Sequence, residues 1–237
     1  QTGRERRLTS DPAADAVPVW SRDGRSIFFR RGEAIWRLTV DEDVAETKVL
    51  EFSGAMPLDI SKDDKVLLFR GNTDDTQLDV LQFRLGGSGP PTPVARSSWR
   101  ENHGQFSPDG QWVAYTSNET GQMDVWVKRP DDRSVGQQVT TGGATMPRWR
   151  RDGRELFYLT LDGQMTVVPV TPTGTRLEFG APTKLFHAPV HLFLLPGTGT
   201  AFAYDVSSDG QRFLLVVDRS EQAPITVVLN WKPPAGR

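Results

Sequence analysis

Phe106-Ser107-Pro108-Asp109-Gly110-Gln111-Trp112-Val113-Ala114-Tyr115 sets an apolar residue, a Ser-Pro-Asp-Gly step and a run of β-formers side by side. An Asp side chain hydrogen-bonds its own downstream backbone and Gly accepts positive φ, so the step reads as a tight turn between two strands. The pattern returns four more times, as Trp20-Ser21-Arg22-Asp23-Gly24, Ile60-Ser61-Lys62-Asp63-Asp64, Trp149-Arg150-Arg151-Asp152-Gly153 and Val206-Ser207-Ser208-Asp209-Gly210. From Asp to Asp the intervals are 40, 46, 43 and 57 residues. A propeller blade takes about 40–50 residues, so the first three fit directly. The fourth carries roughly a dozen more, placed around His187 to Thr200. In the second copy Asp64 stands where Gly is usual, which predicts an altered turn there.

Each turn is followed by an apolar strand, a second polar turn and a third strand. Second strands are Ile27-Phe28-Phe29, Val66-Leu67-Leu68-Phe69, Trp112-Val113-Ala114-Tyr115, Leu156-Phe157-Tyr158-Leu159 and Phe213-Leu214-Leu215-Val216. Third strands are read at 35–38, 79–81, 124–127, 165–168 and 225–228, and weaker fourth strands at 48–50, 93–95, 138–140 and 184–186. Four antiparallel strands per repeat make a propeller blade, so the fold class is all-β: a five-repeat β-propeller forming a single domain over residues 1–237.

The last repeat stops after its third strand, while Arg7-Leu8-Thr9 resembles the fourth strand Gln138-Val139-Thr140. Residues 6–9 are therefore expected to complete the last blade and hide both sheet edges. Removal of upstream blades would leave the same ends. Five blades is the content of this chain, and a parent ring of six to eight is the alternative. A chain that opens on Gln1 is read as a processed product or a piece of a longer protein.

Composition narrows the function. The net charge is −2, with both signs scattered and no basic stripe, so no nucleic-acid partner is expected. The densest basic runs, Arg4-Arg6-Arg7 and Arg148-Arg150-Arg151-Arg154, read as solvated or salt-bridged turns. With no cysteine, disulfides, thiolate metal sites and Cys nucleophiles are excluded. No apolar run is long enough for a membrane helix.

Phe106 through Gly121, with Asp124-Val125-Trp126-Val127 after it, resembles the TolB-like propeller repeat, a relative of the WD-type repeats. Residues 151–158 and the closing run 205–214 through 225–231 resemble the C-terminal propellers of bacterial membrane-anchored serine/threonine protein kinases. The chain itself carries no Gly-rich phosphate loop, paired lysine or catalytic-loop Asp-Asn set. The resemblance implies a sensor or docking domain of a larger bacterial signalling protein, held outside the cytoplasmic membrane.

Site chemistry is sparse. The turn aspartates Asp23, Asp63, Asp109, Asp152 and Asp209 sit one per blade and are read as turn formers. No cofactor is called for; calcium in the central channel is the one cation that carboxylate and carbonyl oxygens would accommodate. His187 and His191 bracket Pro189 and lack the Glu of the zinc-protease pattern, so no metal site is read there. No Gly-x-Ser-x-Gly elbow occurs. Most Trp and Phe fall on strands as blade-to-blade packing. Trp99, beside Arg100 in a polar loop, is weighed as an interface residue against a buried edge role.

A protein or small-molecule ligand is expected at the channel mouth bearing the loops around Ala16, Met56, His103, Thr145 and Phe202, with Trp99, Arg100, His103, Thr145 and Arg148 as its binding residues. The leading expectation is a non-catalytic recognition propeller. Its rivals are a propeller enzyme with hydrolase or lyase chemistry at the channel mouth and a structural self-assembly module.

Overall fold

In the computed structural model the described residues are 6–40, 45–73, 78–132, 134–190 and 202–217. They form strands and connections, with no helix among them. Blade one is β1 (Asp15–Trp20), β2 (Ser26–Arg31), β3 (Ala34–Thr39) and β4 (Thr47–Glu51), paired antiparallel in chain order. Blade two repeats this with β5 (Met56–Ile60), β6 (Val66–Gly71), β7 (Asp79–Arg84) and β8 (Thr92–Ala95). Blade three has β9 (Glu101–Phe106), β10 (Val113–Ser117), β11 (Asp124–Lys128) and β12 (Gln137–Gln138).

Blade four comprises β13 (Ala144–Trp149), β14 (Glu155–Thr160), β15 (Gln164–Thr173), β16 (Arg176–Phe179) and β17 (Thr183–His187). Its third strand is long. Gln164 to Val167 pair with β17, whereas Val170 to Thr173 fold back on β16, a hairpin the sequence reading did not anticipate. Of the fifth repeat, β18 (Tyr204–Val206) and β19 (Phe213–Leu215) are described and pair antiparallel. Its expected strand at 225–228 and most of the extra residues before β18 lie outside the described residues. Residues 6–9 pair with no described strand, and the last-blade strand they were expected to join lies outside the described residues. Arg6 instead donates to the Val40 carbonyl, and Leu8 lies beside Trp36 of blade one. Arg31 ties that region together: it bonds both carboxylate oxygens of Asp15 at 2.6 and 2.8 Å, reaches Glu46, and lies over Phe29 and Trp36.

The blades hold one another rather than themselves. Strand residues alternate between two faces, and here both faces are buried. Leu67 and Phe69 pack with Phe28 and Ile35 of blade one, while Leu68 between them packs with Phe106, Val113 and Tyr115 of blade three. Ala114 turns to blade four, where Leu156 and Tyr158 meet it. Phe157 and Leu159 turn the other way, onto Tyr204 and Phe213 of the fifth repeat. Second strands are therefore continuous apolar runs because a blade stands against each side of them.

The turns are built as the motif implies, with the serine as a second hinge. Ser21 Oγ donates to Asp23 at 2.6 Å and accepts from Ser26 N at 2.8 Å, while Asp23 accepts from Arg25 N at 2.9 Å. Ser107 with Asp109 and Ser207 with Asp209 repeat the set. In blade four Arg150 replaces the serine and pairs with Asp152 and with Glu155. The second turn is not altered in shape. Asp64 takes φ +56°, matching the +71° to +76° of Gly24, Gly110, Gly153 and Gly210.

Candidate functional site in the central channel

The first strand of each blade lines the centre of the ring. Six residues before each turn aspartate stand Val17, Pro57, His103, Met146 and Ala203. Val17, His103 and Met146 hold φ of +54°, +50° and +57°, and the strand pairing slips register at each. Pro57 cannot take positive φ, and its strand slips between Pro57 and Asp59 instead. A bulge bends a strand and re-aims its side chains, and these bulges decide what faces the channel.

At the bulge in β9, His103 is buried, with Nδ1 3.0 Å from Thr116 Oγ1 and 3.1 Å from Thr145 Oγ1. Its ring meets the Phe202 ring edge-on at 5.4 Å between centroids. The Arg148 guanidinium lies over that same ring at 3.7 Å, and its Nε stands 3.8 Å from Asp205. Burial pushes His103 down to about 3, with the charges of Arg148 and Arg70 adding to the effect. The imidazole is therefore neutral throughout the physiological range.

The structure thus brings His103, Thr145 and Arg148 together. Trp99 and Arg100 stand apart from them, exposed on the loop leading into β9, where Trp99 is 44 % accessible and the Arg100 amide donates to Asn118 Oδ1 at 2.7 Å. Met56 at the same end is buried, so that end of the channel is walled by packed side chains. His187 lies exposed in strand β17, and His191 is outside the described residues. Each turn aspartate is held by its own turn, and no three His, Asp or Glu side chains converge among the described residues.

Two features went unread in the sequence. The residue four before the turn aspartate reaches across to the next blade. Asp59 binds Arg22 through both oxygens at 2.8 and 2.9 Å and accepts the Phe106 amide at 2.9 Å; Gln105 Oε1 accepts the Trp149 amide at 2.7 Å. One position later, Trp20, Phe106 and Trp149 form an aromatic collar around a hollow of about 680 Å³ at the turn end of the channel, with Arg22, Lys62 and Arg151 on its rim. Residues 205–208 of the fifth repeat close it opposite blade one. Trp20, read as packing, is 52 % exposed here. The available signal was positional: aromatic residues recur three before the turn aspartate in three repeats out of five.

This geometry is that of a known architecture. The fold is a β-propeller. TolB from Acinetobacter baumannii superposes with a TM-score of 0.66 at 16 % identity, over 90 % of this chain and 51 % of that one. A periplasmic gluconolactonase of Pseudomonas aeruginosa gives 0.53 at 18 % identity, over 87 % and 65 %. No family model matches. In sequence, the uncharacterized protein Atu1656 of Agrobacterium fabrum is 27 % identical over 162 residues, covering 66 % of this chain and 52 % of that protein. Dipeptidyl-peptidase 5 of Porphyromonas endodontalis is 27 % identical over 121 residues, 48 % of this chain and 16 % of the peptidase. The chain thus spans about half the length of Atu1656 and a sixth of the peptidase.

Proposed function

We propose that this chain is a non-catalytic recognition propeller that docks a protein segment at its channel, as the sensor or docking domain of a larger bacterial signalling protein outside the cytoplasm. The observation that carries the reading is the turn-end hollow. Aromatic faces beside exposed cations at a concave mouth are the composition of a binding hot spot: Trp20 offers an exposed indole, and Lys62 and Arg151 stand exposed on the rim. The likeness of residues 151–158 and 205–231 to kinase-borne propellers supports the signalling context, and the periplasmic gluconolactonase with the same fold is in keeping with the compartment.

An enzyme reading finds less support. A general base works best with a pKa near the operating pH, and His103 at about 3 lies far below it. Glu101, raised to about 7, is 2 % exposed and enclosed by Ser97 and Ser117.

Peptides selected from a displayed library on the immobilised chain test the reading. Affinity for the best binders should fall about tenfold or more with Trp20→Ala plus Arg151→Glu, the loss typical of a hot-spot pair, while melting stays unchanged. His103 and Arg148 replaced together report on the opposite end of the channel in the same assay. Library binders whose affinity ignores both pairs would remove the channel as the docking site.

A further inference from the structure

We propose that Arg70, Arg148 and His103 form a seat for a carboxylate inside the channel. The inference deepens the recognition reading, since it names the chemistry that an entering ligand presents. Buried polar atoms in folded proteins are nearly always partnered, and an orphan asks for a reason. Three of the orphans are donors on groups whose charges or rings bear on one another: His103 Nε2, Arg148 Nε and Arg70 Nε are all sealed from solvent and without a hydrogen-bond partner.

The proton on His103 can be placed. Thr116 and Thr145 are buried, and each hydroxyl has His103 Nδ1 as its hydrogen-bond partner. A buried hydroxyl must donate somewhere, so Nδ1 serves as acceptor and the proton resides on Nε2. His103 therefore presents an N–H donor that nothing accepts. Arg148 lies flat on Phe202, which leaves the edge of its guanidinium available, and Asp205 at 3.8 Å is beyond hydrogen-bond reach. Arg70, in the β6 position that Thr116 holds in β10, bonds one nitrogen to the Gly54 carbonyl at 3.3 Å and has no carboxylate of a described residue within salt-bridge distance. Burial lowers it to about 10. Of the buried acids nearby, Asp59 is taken by Arg22 and the Phe106 amide, Glu101 accepts from Ser97 and Ser117, and Asp79 accepts from Thr73.

The charges of both arginines bear on the same histidine. Two guanidiniums and an imidazole N–H are donors only, a set that rejects cations and matches the two oxygens of a carboxylate. Bridging waters would satisfy the hydrogen bonds but leave Arg70 with no counter-ion among the described residues and Arg148 with only the exposed Asp205 at 3.8 Å, a balance that an anion improves. Because the donor atoms are enclosed, the group admitted is small: a free short-chain acid, or the carboxylate of a peptide reaching in.

Acetate is the probe. The whole chain is melted in rising acetate against chloride at equal ionic strength, while the His103 side-chain nitrogens are followed by long-range ¹H–¹⁵N correlation. A saturable rise in melting midpoint for acetate alone, with the Nε2 resonance shifting along the same curve, is expected. Arg148→Met, which leaves Phe202 an apolar partner of similar length, should weaken acetate at least tenfold, and the nitrogen signals of His103 report on the seat whatever the variant does to stability. Competition by a short peptide with a free carboxylate, but not by its amide, would assign the source to a segment; acetate binding without such competition would assign it to a free acid. Identical melts in acetate and chloride with an unmoved Nε2 resonance would overturn the seat. Library peptides that still bind at Trp20 in that case leave the docking reading standing, and acetate binding without any selectable peptide would remove the docking reading alone.

Discussion

Asp64 shows how one residue can take over a glycine's place and add a contact. A non-glycine residue in the left-handed region costs about 1–2 kcal/mol relative to the right-handed form, and Asp is among the few that tolerate it. What offsets the cost is the neighbouring blade: the Asp64 carboxylate accepts the Arg22 amide at 2.6 Å and the Asp23 amide at 3.2 Å, so the second turn clasps the first. Asp64→Gly relieves the backbone but loses the clasp, and should cost under about 1 kcal/mol. Asp64→Ala keeps the strain and hands two exposed amides to water, for about 1–2 kcal/mol. Urea unfolding of the pair checks the order; equal losses would mean that the clasp carries no energy.

Glu101 and His103, two residues apart, make opposed pH predictions. Burial, aided by Asp79, raises the Glu101 carboxyl from 4.5 to about 7 against the pull of its serine hydrogen bonds. A raised folded-state pKa gives stability that is complete below about 4.5 and lost as pH rises through 7. His103, depressed from 6.5 to about 3 by burial, gives stability present above 6.5 and lost as pH falls toward 3. Comparing Glu101→Gln with the wild type cancels the histidine. The wild type should lose up to about 3 kcal/mol relative to the variant between pH 5 and pH 8. A constant difference across that range would show that Glu101 does not titrate there.

At the scale of the element, the informative strand is the first of each blade. Its existence was not among the strands spelled out by apolar runs, because it is short, mixed in polarity and interrupted by a bulge. Pro57 and Val17 occupy the same motif position and cannot share a backbone conformation, so local propensity says little about it. The turns and the second strands were legible because their chemistry is local: Ser-x-Asp-Gly needs only itself, and a strand buried on both faces must be apolar throughout. Asp59, Gln105 and Trp20 were not legible, because their partners lie about 40 residues on, in the next blade, or across the ring. His103, Arg148 and Phe202 were picked out by placement near the channel, and the contacts of both polar groups with the Phe202 ring are what the structure adds.

The same strand yields a test of how blades are joined. Asp59→Ala leaves the buried Phe106 amide without its acceptor and frees the exposed Arg22, a loss of about 2–4 kcal/mol. Gln105→Ala leaves only the Trp149 amide unsatisfied, about 1–3 kcal/mol. Equilibrium denaturation should rank them in that order. A milder Asp59→Ala would mean that the pairing with Arg22, 43 % exposed at its side chain, adds nothing to stability.

For the whole molecule, the consequence of two-faced strands is that the core is shared between blades, apart from the small cluster of Ile27, Phe29 and Leu38 within blade one. Each apolar cluster that spans a junction joins residues of two consecutive blades, from Phe28 with Phe69 to Phe157 with Phe213. Opening one blade therefore uncovers apolar surface on its neighbours, and repeat proteins built this way unfold as a coupled row whose cooperativity depends on the interfaces. Leu68→Ala cuts the junction of blades two and three, and Leu156→Ala that of blades three and four; both side chains are fully buried. Each should lose about 2–5 kcal/mol. Because the junctions communicate, far-UV circular dichroism and tryptophan fluorescence should report one shared midpoint in both variants, shifted together. Separate midpoints in Leu156→Ala alone would locate a break between blades three and four, and with it a hinge across the wall that carries His103, Thr145 and Arg148.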